Sequence, residues 1–277
     1  MLRLSACLLA FCPAAALAAP AQPTGKWAME YSPTACTAKR AFGDSAIAIT
    51  PAPLGATTRI LVELPGRAMK ASHVSSAVDP GDGKGVIATT SIVFPTSRKG
   101  FRGIYTVMNK ADATRVLASG KFTLRTGRNA EREIVVDRAA NATGIDVDLG
   151  KMESLNRALE TCMADLRKQW NIVDGTIPPP PKRTVARGDI RTIFSADDYP
   201  AEALNRGLKG RVNYTLMIDE RGRVADCVIN ESSGIAVLDA MGCQVMRERA
   251  TFTPATDANG KPVADIVVTP FIHWMLN

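Results

Sequence analysis

RVNYTLMIDERGRVADCVIN, residues 211–230, decides the fold of the C-terminal third of this chain. Val212, Tyr214, Leu216 and Ile218 recur at every second position, so Arg211 to Ile218 reads as a strand with one apolar face. Asp219-Glu220-Arg221-Gly222 is a hairpin turn, and Val224 to Asn230 is the return strand. Upstream, Asp198-Tyr199-Pro200 opens a short helix, Ala201 to Leu208, which Lys209-Gly210 ends. Downstream, Ser232-Ser233-Gly234 reads as a turn and helix cap. It leads into a helix from Ala236 to Ala250, with Leu238, Met241, Gly242 and Val245 facing inward. Phe252-Thr253-Pro254 follows. Asn259-Gly260-Lys261-Pro262 makes a turn, and Ala264 to Trp274 is a final strand. Three antiparallel strands with two helices on one face satisfy this order.

The N-terminal half has a different texture. Short apolar runs at Ser45–Thr50, Thr58–Leu64, Val86–Phe94, Gly103–Met108, Val116–Leu124, Glu131–Val136 and Ile145–Leu149 alternate with turn signals such as Pro65-Gly66 and Asp79-Pro80-Gly81. Runs at this spacing predict an antiparallel sandwich-like or barrel-like domain. Leu155, Leu159, Cys162, Met163, Leu166 and Trp170 then fall on one helical stripe that closes it. Ile177 to Arg183 contains four consecutive prolines, a stiff spacer without internal hydrogen bonds. The organisation expected is a signal peptide over 1–18, a β-rich domain with a C-terminal helix over 19–173, a Pro-rich linker over 174–191 and an α+β domain over 192–277.

The first residues carry an export pattern: Arg3, an apolar run from Leu4 to Leu17, and the small-x-small site Ala16-Leu17-Ala18. Cleavage after Ala18 is expected. The run is about 14 residues with a proline inside it, short of the roughly 20 that span a bilayer. Cys36, Cys162, Cys227 and Cys243 remain after cleavage, an even number suited to an oxidising compartment. Four cysteines allow three pairings, with four free thiols as the alternative. The division into domains favours Cys36–Cys162 and Cys227–Cys243. Residues 19–173 carry 21 Lys/Arg against 14 Asp/Glu, and residues 192–277 carry 8 against 11. The basic half admits an anionic envelope surface as a partner. Nucleic acid is not expected, since aromatic–basic clusters are lacking.

Residues 198–276 resemble the C-terminal domain of TonB. The matching pieces, in order, are Tyr199-Pro200, Leu208 to Val212, the hairpin Ile218 to Val224, Ser232-Ser233-Gly234 with Leu238-Asp239, Phe252 to Ala255, Gly260 to Val263, and the closing strand. The resemblance implies a periplasmic module that adds an extended segment of an outer-membrane transporter, or of another protein, to its own sheet edge. By the same resemblance, that edge maps to Ile266, Val267, Val268, Thr269, Phe271 and Ile272, with Tyr199 and Pro200 as a second contact region. The family's energy transducers keep a membrane helix with a Ser-x-x-x-His pattern and a long periplasmic spacer. Here Leu9 stands four positions after Ser5, and the linker spans at most ~60 Å fully extended. The expectation is therefore a periplasmic binding protein. The alternative is a membrane-anchored transducer for transport across the outer membrane.

No catalytic group, cofactor or metal site is expected. His73, read as lying in a turn-rich loop, and His273, in the last strand, are the two histidines, and no further ligands cluster with them. Gly81 to Gly85 lacks the spacing of a phosphate loop, and Ser232-Ser233-Gly234 lacks the context of a hydrolase elbow.

Overall fold

The structure, a computed structural model, describes residues 20–54, 56–66, 70–127, 143–170 and 188–276. The expected signal peptide, the strand at Glu131–Val136 and most of the Pro-rich linker lie outside these residues.

Nine strands form the first sheet: β1 (Ala28–Tyr31), β2 (Cys36–Phe42), β3 (Ser45–Pro51), β4 (Thr57–Pro65), β5 (Ser72–Asp79), β6 (Ile87–Pro95), β7 (Phe101–Asn109), β8 (Lys121–Thr126) and β9 (Thr143–Asp148). They are hydrogen-bonded in the order β1-β2-β3-β4-β7-β6-β5-β8-β9, and every pair is antiparallel. The sheet curls until its ends meet. Ala21 N donates to Asp146 O at 2.7 Å and Asp148 N donates to Ala21 O at 3.2 Å, while Thr24 N donates to Ala41 O at 3.0 Å. The stretch before β1 thus stitches β9 to β2 and closes the curled sheet into a barrel through a single bridge among the described residues, Ala21 to Val147. Alternate residues point inward: Ile60, Val62 and Leu64 on β4 meet Ile104, Met108, Phe122 and Leu124 in one core.

Among the described residues, two helices complete this unit. The run Val116–Leu124, expected as one strand, is instead the end of helix α1 (Lys110–Ser119) followed by β8. Asn109 accepts from Asp112 N at 2.9 Å as the N-cap, and Gly120 stops the helix at φ 71°. Helix α2 (Glu153–Gln169) lays Leu155 and Leu159 on the barrel core. Cys162 of α2 is bonded to Cys36 of β2, with 6.1 Å between Cα atoms. Trp170, just past α2, donates its indole N–H to Pro33 O at 2.6 Å. His73 is not in a loop: it is a buried residue of β5, a strand whose serines disguise it in the sequence.

The second unit opens with a 3-10 turn (Ala196–Asp198) and helix α3 (Ala201–Asn205). This helix is shorter than the expected Ala201–Leu208. Leu208 N bonds back to Ala203 O, and Gly207 takes a left-handed conformation. Strands β10 (Gly210–Ile218) and β11 (Val224–Glu231) form the hairpin, and helix α4 (Ala236–Arg249) follows. Tyr214 runs under α4 and donates its hydroxyl to Asp239 O at 3.0 Å. Gly242 is what permits this, since a Cβ there would lie 1.9 Å from that hydroxyl. Cys227 and Cys243 are bonded, tying α4 to β11 with 5.5 Å between Cα atoms. Ala225, which alternation with Cys227 and Ile229 would place on the helix-covered face, is exposed. The register shifts between Met217 and Ile218 of β10, leaving Ala225 bulged out opposite them.

After a two-rung ladder, β12 (Ala255–Thr256) with β13 (Pro262–Val263), the last strand comes in two pieces: β14 (Asp265–Val268) and β15 (Ile272–Trp274). Both pair antiparallel with β10. The expected continuous strand breaks at Thr269-Pro270-Phe271, because Pro270 has no N–H for the ladder. Thr269 fills the gap: its N–H donates to Tyr214 O at 2.8 Å and its hydroxyl accepts from Tyr214 N at 3.0 Å.

Helices α3 and α4 cover one face of this sheet. The barrel covers the other. Asn213, Thr215 and Met217 on β10 point away from the helices and are buried all the same. Met217 and Ile266 share an apolar cluster with Met163, Leu166 and Trp170 at the end of α2. Thr57 of β4 donates its hydroxyl to Ile229 O of β11, and Arg59 faces Asp226 at 3.8 Å.

Candidate strand-addition edge

The residues expected to meet a partner fall into three environments. Ile266, Val267 and Val268 lie together on β14. This strand has β10 on one side and, among the described residues, no strand on the other. Ile266 is 5% exposed, turned toward α2, whereas Val268 is 44% exposed. Val267 packs on the helix-side core. Thr269 is drawn into the sheet by its bonds to Tyr214 and presents nothing outward. Phe271 and Ile272 lie beyond the break, with the Arg211 guanidinium stacked 4.5 Å from the Phe271 ring centre.

Tyr199 and Pro200 stand at the other end of the same edge. Pro200 is buried at the start of α3. Tyr199 donates its hydroxyl to Leu208 O at 2.5 Å, and its ring meets Trp274 edge-on at 5.5 Å. Burial pushes its phenol above the ordinary range. Phe194 also meets Trp274 edge-on, at 5.7 Å, so β15 is held through Trp274 by two aromatic rings.

Fixed charges hold the scaffold. Asp198 accepts two bonds from the Arg249 guanidinium, at 2.7 and 2.8 Å, and two from Ser195, at 2.7 Å from its N–H and 3.1 Å from its hydroxyl. Arg249 holds the Asp198 carboxyl below the usual carboxylate range. The Ser232-Ser233-Gly234 segment is a turn, but it does not cap α4. The N-cap is Ile235, with no side-chain bond. Instead Asp239, one turn into the helix, accepts from both serine hydroxyls and from Ser233 N. Burial raises its carboxyl against those bonds. The N–H of Ala236, at the start of α4, donates to the Thr90 hydroxyl of the barrel at 2.9 Å. Thr90 and Asp226 carry no sequence signal for these roles, because their partners are remote in the chain, whereas Asp198 joins a local box with Ser195 to a remote pair with Arg249.

The histidines do not form a site. His73 N donates to Glu202 at 2.7 Å across the unit boundary, and its ring is held below its ordinary value, chiefly by burial. His273 is exposed on β15 opposite Arg211. Among the described residues no group of three or more His, Cys, Asp or Glu could hold a metal ion. No helix of the described residues is long and apolar enough to cross a membrane.

No curated protein and no solved structure matches the chain. The family model of the Gram-negative bacterial TonB protein C-terminal domain matches residues 195–273, which hold α3, α4 and the sheet with the one-sided strand β14.

Proposed function

We propose that the chain is a periplasmic binding protein that serves outer-membrane transport. In this reading its C-terminal unit takes an extended segment of an outer-membrane transporter, or of another protein, along β14. The observation that carries the reading is the one-sided strand β14, with Val268 exposed at its end. An unpaired strand edge offers backbone N–H and C=O groups to an extended chain, and alternate side-chain contacts then set preference. Pro270 confines the addition to Asp265–Val268, and Tyr199 and Pro200 act through the clamp on Trp274. Four residues of edge give a modest, exchangeable contact, which suits a transport partner that must be released. No catalytic group takes part.

The test uses a blocked synthetic peptide copying the periplasm-facing N-terminal segment of an outer-membrane transporter from the same cell. Its binding is followed by hydrogen exchange on the full chain. Slowed exchange at residues 265–268, lost in Val268→Pro, is the expected result. Unchanged exchange there at saturating peptide refutes strand addition. The intact mass of the chain recovered from cells separates the periplasmic protein, starting near Ala19, from the anchored transducer that keeps Met1.

A further inference from the structure

The barrel wall is split on the side that faces the second unit. The ladder between β6 and β7 runs from Pro95↔Arg102 to Ser91↔Thr106 and stops there. Both strands continue. Ile87–Thr90 remain on the β5 side, and Val107–Asn109 on the β4 side. No ladder joins these two lengths. The Thr90 carbonyl takes its hydrogen bond from the Thr106 hydroxyl instead, at 3.1 Å. At the last rung Ser91 is fully buried, and its hydroxyl has no hydrogen-bond partner.

A cleft of about 660 Å³ fills the split, within the roughly 300–1,000 Å³ usual for ligand sites. Its walls are Ile87, Ala88, Val107 and Met108 from the barrel. Its cover is the β11–α4 turn, fixed by Thr90, whose hydroxyl donates to Gly234 O at 2.9 Å. Asp112 reaches the cleft from α1 and Glu231 from β11, so carboxylates flank it from both units. The third carboxylate, Asp239, is consumed by Ser232 and Ser233. Among the described residues, no lysine or arginine lines the space.

We propose that this cleft is a second binding site, for a short extended peptide segment carrying a basic side chain. Two strand lengths, each laddered on its outer side alone, turn toward each other backbone donors and acceptors that another peptide backbone satisfies. The apolar walls take its alternate side chains, and Asp112 and Glu231 select a lysine or arginine. The site is independent of the β14 edge.

The test offers the immobilised full chain a pool of blocked pentapeptides randomised at every position, then maps the best-retained peptide by hydrogen exchange. Enrichment in lysine and arginine is expected, with slowed exchange at residues 87–90 and 107–109. Ala88→Arg, an exposed cleft residue, weakens binding about tenfold or more. Asp112→Asn with Glu231→Gln weakens it about fivefold. A retained peptide without basic enrichment, or no retained peptide, overturns the proposal. Slowed exchange confined to residues 265–268 also overturns it, while supporting strand addition at β14. Slowed exchange confined to the cleft supports it and leaves the β14 reading to its own test.

Discussion

Ile266 and Val268 lie two residues apart on one strand, yet the structure gives them opposite sensitivities. Ile266 is 5% exposed and packs with Met163, Leu166, Trp170 and Met217, while Val268 is 44% exposed. Truncating a buried isoleucine to alanine costs about 2–5 kcal/mol, through lost burial and the cavity left behind. Two methionines in the cluster can relax into that space, which places Ile266→Ala near the lower end, about 2–3 kcal/mol. For a chain of this size that lowers Tm by about 5–10 °C. Val268→Ala stays within about 0.5 kcal/mol, as for exposed positions generally. The assay is calorimetry on both variants, with tryptophan fluorescence during urea unfolding, since Trp170 sits in the affected cluster. If Ile266→Ala unfolds with Val268→Ala, the end of α2 does not rest on β14, and the covered second face of the sheet is refuted. The same arithmetic makes Val268, not Ile266, the position at which to probe partner binding without disturbing the fold.

Thr90→Val removes one donor to Gly234 O and one acceptor for Ala236 N. It should cost about 1–2 kcal/mol and speed hydrogen exchange at the start of α4, while Thr90→Ser restores both. His73 has its pKa lowered below 6.5, first by burial, then by Arg206, with Glu202 opposing. The unfolded chain therefore binds the extra proton more readily, and this contribution to stability is complete above pH 6.5 and lost as pH falls through the folded value. Denaturant midpoints measured from pH 7.5 to 5 should show that loss, and His73→Gln should flatten it. Replacing Cys227 and Cys243 together by serine should cost about 3 kcal/mol, and replacing Cys36 and Cys162 about 4–5 kcal/mol, because the second pair closes the longer loop. Equal losses in chemical denaturation would count against the loop-entropy account.

The second unit was largely legible in the sequence, because its signals are local. Alternation in 212–218, the turn at 219–222 and the helical spacing of 238–245 each specify one element. The barrel was legible as a class but not strand by strand. In β2 the inward residues include Cys36 and Ala38, too small to make an apolar run, and β5 reads as a turn because of Ser72, Ser75 and Ser76. Helix α1 was lost because Val116 and Leu117 were joined across Gly120 to the apolar residues of β8. The far face of β10 was the larger omission. Asn213, Thr215 and Met217 look like a solvated face, and only tertiary packing against the barrel buries them. Of the candidate edge, Ile266–Val268 come together as a strand, but the inward turn of Thr269 and the clamp on Trp274 depend on contacts remote in sequence.

The two bridges also constrain how the molecule can be made. Among Cys36, Cys162, Cys227 and Cys243, each bond joins neighbours in chain order. As the polypeptide emerges from its N-terminal end, Cys36 is followed by Cys162 before Cys227 and Cys243 appear, and Cys227 then meets Cys243 after 16 residues. An oxidant acting on successive thiols yields the native pairs directly, without the slow exchange that repairs a crossed pairing. The barrel has no such head start, because its closing residue Ala21 waits for Val147 to appear. Until then β9 and the segment before β1 are open edges on an unfinished sheet. Oxidation at Cys36 and Cys162 therefore follows barrel closure or competes with it, and it seals the ring only once nearly the whole first unit has been synthesised.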